Sequence, residues 1–197
     1  MNTRLLDYRP ELEFLPPSPD AAHTAHQNEL TAGAELLELA SEAELNGFLT
    51  TLLSKGAAMG RAALATPQGR ALRHALVRGL QQAAHIALPL PKRGIAGPVI
   101  DALSRSSDEE MQRCARIFGL ELEGLSPEDE EFELARRFVH YANATGREAA
   151  RLLSRASGPP LSAVHDMAVA ALAQGARRCA PGLLARCPKC GRSHRPS

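Results

Sequence analysis

The sequence contains no tryptophan, and its two tyrosines and five phenylalanines bring the aromatic content to only 4% of 197 residues. Alanine contributes 34 residues to a hydrophobic content of 44%, and alanine buries little area. The longest segment without a charged side chain has thirteen residues, 79–91, well short of the roughly twenty that a membrane-spanning helix needs. No segment alternates with the period of a β-strand. We therefore expect an all-α protein with a thin core and no transmembrane helix.

Other motifs are missing too. The N-terminus has no apolar export signal, so the sequence predicts a cytoplasmic protein, with export by a leaderless route left open. No P-loop, GxGxxG, HExxH or GxSxG motif is present. Neither His140 nor the His165-Asp166 pair has a serine or cysteine partner at the spacing of a catalytic motif. These absences predict a protein that is not an enzyme.

The net charge of +1 hides four large blocks of opposite sign. Residues 1–54 carry −7, residues 55–100 carry +7 without one acidic residue, residues 101–134 carry −8, and residues 135–197 carry +9. The neutral total excludes a bulk polycation. If the acidic segments pair with the basic residues of 55–100, the charges are neutralised within the fold. If they do not, residues 55–100 present an exposed basic surface.

Helical spacing and capping signals predict an irregular bundle of about five to seven helices at 29–178. The Pro-rich segment 1–28 predicts a disordered arm, and 179–197 forms a Cys-rich tail. Ser41 and Glu44 form a capping box. Thr66 and Ser126, each followed by proline, predict the starts of two further helices. A second capping box at Thr145 and Glu148 predicts a break or kink near Asn143. Short helices are also predicted at 99–104, at 107–119 ending at glycine, and at 162–178.

The segment Leu125–Val139, LSPEDEEFELARRFV, resembles a group of uncharacterised bacterial Ala/Gly-rich helical proteins with an acidic N-terminal region. The resemblance extends over residues 35–185 and includes a basic-Ala-Pro-Gly-Leu-Leu stretch near the C-terminus. The resemblance implies a helical architecture and a bacterial source, and it does not point to any particular activity. The CPKCGRSH tail is an addition to that pattern.

The tail carries the main candidate chemistry. Cys187 and Cys190 form a Cys-x-x-Cys-Gly knuckle, in which two thiolates can face one tetrahedral ion. His194 and Cys179 can complete the shell, so the sequence predicts a closed, structural Zn²⁺ site of Cys179, Cys187, Cys190 and His194. Completion across a dimer interface, a redox dithiol and an unstructured tail stay open as alternatives.

Three functions follow from these patterns. The first is a non-enzymatic interaction or assembly protein, in which small-residue helix faces and charge blocks associate within the chain, with a protein partner or between copies. The second is a peripheral binder of anionic membranes through the basic amphipathic helix 67–88. The third is a nucleic-acid-binding zinc-knuckle adaptor. The predicted contact residues for these anionic partners are Arg70, Arg73, Arg78, Arg177, Arg178, Arg186, Lys189 and Arg192.

Overall fold

The computed structural model of the chain describes residues 19–55, 66–89, 108–156 and 160–184. These residues form six α-helices and one 3-10 turn, without a strand, which confirms the all-α prediction. The helices are α1 (Pro19–Glu38), α2 (Glu42–Lys55), α3 (Pro67–Ala87), α4 (Asp108–Phe118), α5 (Pro127–Arg155) and α6 (Leu161–Cys179), and the 3-10 turn is Pro181–Leu183. The predicted helix at 99–104 lies outside the described residues.

The predicted helix starts are formed by side-chain caps. Thr66 Oγ1 accepts a hydrogen bond from the Gly69 amide at 3.0 Å, and Ser126 Oγ accepts from the Asp129 amide at 3.2 Å. Ser41 Oγ accepts from the Glu44 amide, while the Glu44 carboxylate reaches back to the amide of Ala40 at 2.6 Å. Such caps satisfy amide groups that have no partner inside the helix, so these three signals are confirmed.

Two predicted boundaries differ from the structure. Helix α1 begins at Pro19 rather than Glu29, so the helical region extends further toward the N-terminus than the predicted arm allowed. Helix α5 continues without interruption from Pro127 to Arg155, so the break near Asn143 was wrong. Thr145 is fully buried instead of capping a new helix, and Glu148 Oε2 accepts a hydrogen bond from Arg151 Nε at 3.0 Å. Burial of this segment against another helix outweighs its capping signal.

The long helix α5 lies at the centre of the fold, because α1, α2, α3, α4 and α6 all pack against it. Helices α3 and α6 also pack against each other, and the 3-10 turn contacts α3, α4 and α6. The largest fully buried side chains are Phe138, Leu36, Leu49, Leu72, Leu76, Leu80, Leu134 and Val139. Cys114 is also fully buried. Aliphatic and small side chains therefore make up most of the interior, and its buried aromatic residues in the described part of the chain are Phe48, Phe118, Phe138 and Tyr141.

Glycines allow the helices to approach each other closely. A Cβ on Gly175 of α6 would overlap Thr145 Oγ1 and lie 3.2 Å from the ring of Tyr141 on α5. A Cβ on Gly33 of α1 would lie 3.4 Å from the Cα of Arg136, also on α5. At their closest contacts with α5, α1 and α6 thus each have a glycine, which has no side chain. In the described part of the chain, the glycines at 33 and 175 are thus used for packing within the fold.

We expect Gly175→Ala to destabilise the protein by about 1–3 kcal/mol, because the added methyl group overfills the contact between α5 and α6. Gly47→Ala is the matched control, since a Cβ there has nothing within 4 Å. That control should stabilise the protein by up to about 1 kcal/mol through helix propensity. Urea denaturation of the three proteins measures both effects. Equal stability of Gly175→Ala and the unmodified protein would contradict the packing described above.

Candidate functional site

His140, near the middle of α5, joins three helices. Its Nδ1 lies 2.9 Å from Oε1 of Glu29 on α1, and Cys179, in the last turn of α6, lies close enough to raise the pKa of His140. The side chain of Glu29 is only 17% exposed, whereas that of His140 is 43% exposed. A carboxylate, an imidazole and a thiol therefore meet at the edge of the bundle, and we call these three residues the His140 junction.

The register of the helix pairs places these side chains together. Gly33 packs against Phe132 and Arg136, so Glu29, one turn before Gly33, lies beside His140, one turn after Arg136. Gly175 packs against Tyr141 and Thr145, so Cys179, one turn after Gly175, also lies beside His140. Both α1 and α6 thus run antiparallel to α5. Residues four apart share a helix face. The contacts of Gly33 and Gly175 with α5 therefore also bring Glu29 and Cys179, one helical turn away, next to His140.

The junction favours a positively charged imidazole. The hydrogen bond with Cys179, followed by the hydrogen bond and charge of Glu29, raises the pKa of His140 to about 9, although partial burial acts in the opposite direction. Glu29 also raises the pKa of the neighbouring Arg136, whose main partner is the carboxylate of Glu133. The mostly buried carboxylate of Glu29 thus lies near the cationic side chains of His140 and Arg136. Their positive charge offsets part of the free-energy cost of removing this carboxylate from water.

The interior next to the His140 junction consists mainly of apolar side chains of α5. Burial raises the pKa of Tyr141 to about 12, and its ring meets that of Phe138 edge-on at 6.1 Å. The Thr145 hydroxyl opposes this shift of the tyrosine pKa, but its oxygen completes no hydrogen bond with any side chain that the structure describes. This neighbourhood is a contact between α5 and α6, with the Thr145 hydroxyl buried inside it.

A second surface is the basic face of α3. Its apolar side, including Leu72, Leu76 and Leu80, is fully buried, so Arg70 and Arg78 are exposed and Arg73 is half-buried. Among the described residues, neither Arg73 nor Arg78 forms an ion pair with a carboxylate. An ion pair joins α3 to the acidic start of α2, between His85 Nε2 and the Glu42 carboxylate at 3.6 Å.

Only some of the site residues predicted from the sequence lie within the described residues. Of the predicted zinc ligands, only Cys179 lies within the described residues, where it is half-buried. Cys187, Cys190, His194, Arg186, Lys189 and Arg192 lie outside them. Arg177 and Arg178 are exposed in the last turn of α6. Within the described ranges, no group of three or more His, Cys, Asp or Glu side chains is arranged to hold a metal ion.

Sequence analysis missed the partners of His140. Glu29 is 111 residues away along the chain, a separation that no local motif can reveal. None of the described helices is sufficiently long and hydrophobic to cross a membrane.

The charged junction should make the metal-free protein more stable at neutral than at alkaline pH. Because the pKa of His140 is raised from 6.5 to about 9, the stabilisation is complete below pH 6.5 and is lost as the pH rises through about 9. We expect the free energy of unfolding in urea to fall over this interval, and His140→Gln to remove most of the fall. His165→Gln, on the exposed side of α6, is the control and should retain it. An unchanged pH dependence in His140→Gln would contradict the assignment.

When the chain is compared with known proteins, no protein-family model, no curated protein and no solved structure matches it. The resemblance carried by the LSPEDEEFELARRFV segment therefore stays a prediction. The description of the two surfaces rests on the geometry of this chain alone.

Proposed function

We propose that this protein is a non-enzymatic interaction and assembly protein that associates through surfaces of opposite charge, with a second copy of itself as the partner. The observation that carries the proposal is the exposed basic face of α3, where Arg73 and Arg78 have no carboxylate partner among the described residues. Charges left unpaired on a folded surface remain available to another molecule.

The basic face is held rigidly. Helix α3 packs against α2, α4, α5 and α6, and its Leu76 and Leu80 are completely inaccessible to solvent. No acidic residue interrupts α3. A rigid helix that presents charge of one sign loses little conformational entropy on binding, which favours a defined protein contact.

The same chain offers an acidic surface at the start of α5. Glu128 and Asp129 are exposed, and Glu130 and Glu131 are half-buried. The N-terminal end of the helix adds few free amide groups, because Pro127 has no N–H and the Asp129 amide donates to Ser126 Oγ. The carboxylates therefore carry the contact. Pairing the basic face of one copy with the acidic helix start of the next is a heterologous contact, which forms rings or open chains.

The buried side of α3 favours a protein partner over a lipid bilayer. An amphipathic helix binds in the membrane interface by inserting its apolar face, and here that face forms part of the core. Contact with anionic lipid or nucleic acid would depend on the arginines alone, without apolar insertion. These two partners are therefore outcomes to be distinguished in the test.

We expect the full chain to self-associate at low ionic strength and to dissociate as salt is raised through the physiological range, because exposed charge pairs are screened. Sedimentation velocity at several salt concentrations measures this. The double variant Arg73→Glu/Arg78→Glu should be monomeric, and so should Glu128→Lys/Glu131→Lys. Mixing the two variants should restore association, because the unmodified acidic helix start of the first pairs with the unmodified basic face of the second, and the two reversed surfaces also have opposite signs. One chain carrying all four changes should associate as well.

The control is Arg116→Glu/Arg147→Glu, which changes the net charge by the same amount at two other exposed arginines and should still associate. A monomer at every salt concentration would overturn the proposal. Binding of the monomer to anionic vesicles or to RNA, abolished by Arg73→Glu/Arg78→Glu, would replace it with the corresponding alternative.

A further inference from the structure

We propose that the solvent-facing side of the C-terminal half of α5 binds the phosphate backbone of a double-stranded nucleic acid through Arg147, Arg151 and Arg155. We call this surface the α5 arginine row, and it lies on a different helix from the basic face of α3. The proposal does not rest on the proposed self-association. It stands on the spacing, the exposure and the pairing of the three arginines.

The three arginines are aligned along α5. They occupy every fourth position of the helix, and residues four apart share a helix face. All three are exposed, whereas the residues between them at 148 and 149 are buried. Because a helix rises about 1.5 Å per residue, neighbouring arginines are about 6 Å apart along the axis and the row is about 12 Å long.

Glu148 holds the middle arginine of the row in place. The side chain of Glu148 is only 9% exposed, and it accepts two hydrogen bonds from Arg151, one from Nε at 3.0 Å and one from Nη2. This two-point contact fixes the orientation of the guanidinium group. A guanidinium has further N–H donors, and the side chain of Arg151 is 48% exposed. Arg151 can therefore bind an external anion without losing its internal partner.

The row carries an excess of positive charge. Between residues 134 and 155, Glu148 is the one acidic residue of α5. Its hydrogen bond with Arg151, together with the charges of the surrounding arginines, lowers its pKa although burial opposes this shift, so it is ionised at neutral pH. Neither Arg147 nor Arg155 forms an ion pair with a carboxylate among the described residues. One carboxylate thus offsets one arginine of the three.

The neighbouring helix α6 strengthens this positive potential. Arg178 is exposed in its last turn and lies close enough to Glu148 for its charge to lower the pKa of that carboxyl group. Asp166 is the one acidic residue of α6, and it forms no ion pair with an arginine in the part of the chain that the structure describes. Exposed charges of one sign act together on an approaching ligand of the opposite sign.

A nucleic-acid duplex fits this surface better than a lipid bilayer or a single strand. No large hydrophobic side chain of α5 is exposed, so this helix has none to insert into a membrane. A duplex carries one phosphate charge per about 1.7 Å of its axis, so the row faces about seven such charges. None of the exposed large hydrophobic side chains among the described residues is aromatic, whereas single strands are bound by stacking on aromatic rings. The contacts are with phosphates, which carry no sequence information.

Fluorescence anisotropy of a labelled DNA duplex of about 20 base pairs, titrated with the full chain, measures the affinity at salt concentrations from about 50 to about 200 mM. Three phosphate contacts predict that log K falls with log salt with a slope of about −2.7, a loss of about 40-fold over this range. Arg147→Gln/Arg155→Gln removes the two arginines that have no carboxylate partner among the described residues. It should bind about tenfold or more weakly at the lowest salt concentration and reduce the slope to about −1.

Arg73→Gln/Arg78→Gln is the matched control, because it removes the same charge from the basic face of α3. It should bind the duplex with the affinity and slope of the unmodified protein even where it no longer self-associates, so the two proposals fail separately. Arg147→Lys/Arg155→Lys keeps both charges of the row and should retain most of the affinity. Far-UV circular dichroism shows whether each variant is folded.

Competition identifies the class of partner. Unlabelled duplex should displace the labelled duplex more effectively than a single strand of the same length or polyglutamate at equal charge concentration. Equal or better displacement by either competitor, or tighter binding to vesicles that contain phosphatidylserine, would overturn the proposal. So would the absence of duplex binding at the lowest salt concentration, or a loss of binding in Arg73→Gln/Arg78→Gln with retention in Arg147→Gln/Arg155→Gln.

Discussion

The fold depends on how closely α1 and α6 approach the central helix α5. With few aromatic side chains and 34 alanines, large residues cannot fill wide gaps between helices, so the helices themselves must come together. Gly33 and Gly175 make this possible, since a side chain at either position would meet α5 directly. Close contact of helix backbones compensates for a core of small side chains, because interiors are stable only when they are densely packed.

The polar chemistry follows from the same two contacts. Each glycine fixes the register of its helix on α5, and one helical turn beyond each contact a polar side chain is brought to His140. Glu29 arrives from α1 and Cys179 from α6. The junction is therefore a consequence of the packing, and it also strengthens that packing by joining three helices through partly shielded groups. In contrast, the basic face of α3 is the outer side of a helix whose inner side is needed for the core.

The local features of this fold could be predicted from the sequence, and the relations between distant segments could not. Thr66-Pro67 and Ser126-Pro127 mark helix starts because the cap and the proline act within one turn. The predicted break near Asn143 failed because the burial of Thr145 depends on α6, which local capping rules ignore. The pairing of Glu29 with His140 depends on the helix register, which no short motif encodes.

The central claim is that α1 and α6 both contact α5 at their glycines, which places Glu29 and Cys179 on either side of His140. Proton–proton nuclear Overhauser effects in the metal-free protein test it most directly. The account predicts cross-peaks from the Gly33 α-protons to the ring of Phe132, and from the Gly175 α-protons to the ring of Tyr141, because these groups are in contact. The contradicting result would be a spectrum in which the rings of Phe132 and Tyr141 show cross-peaks to other residues of α5 but none to Gly33 or Gly175. The arrangement of the three helices would then be wrong.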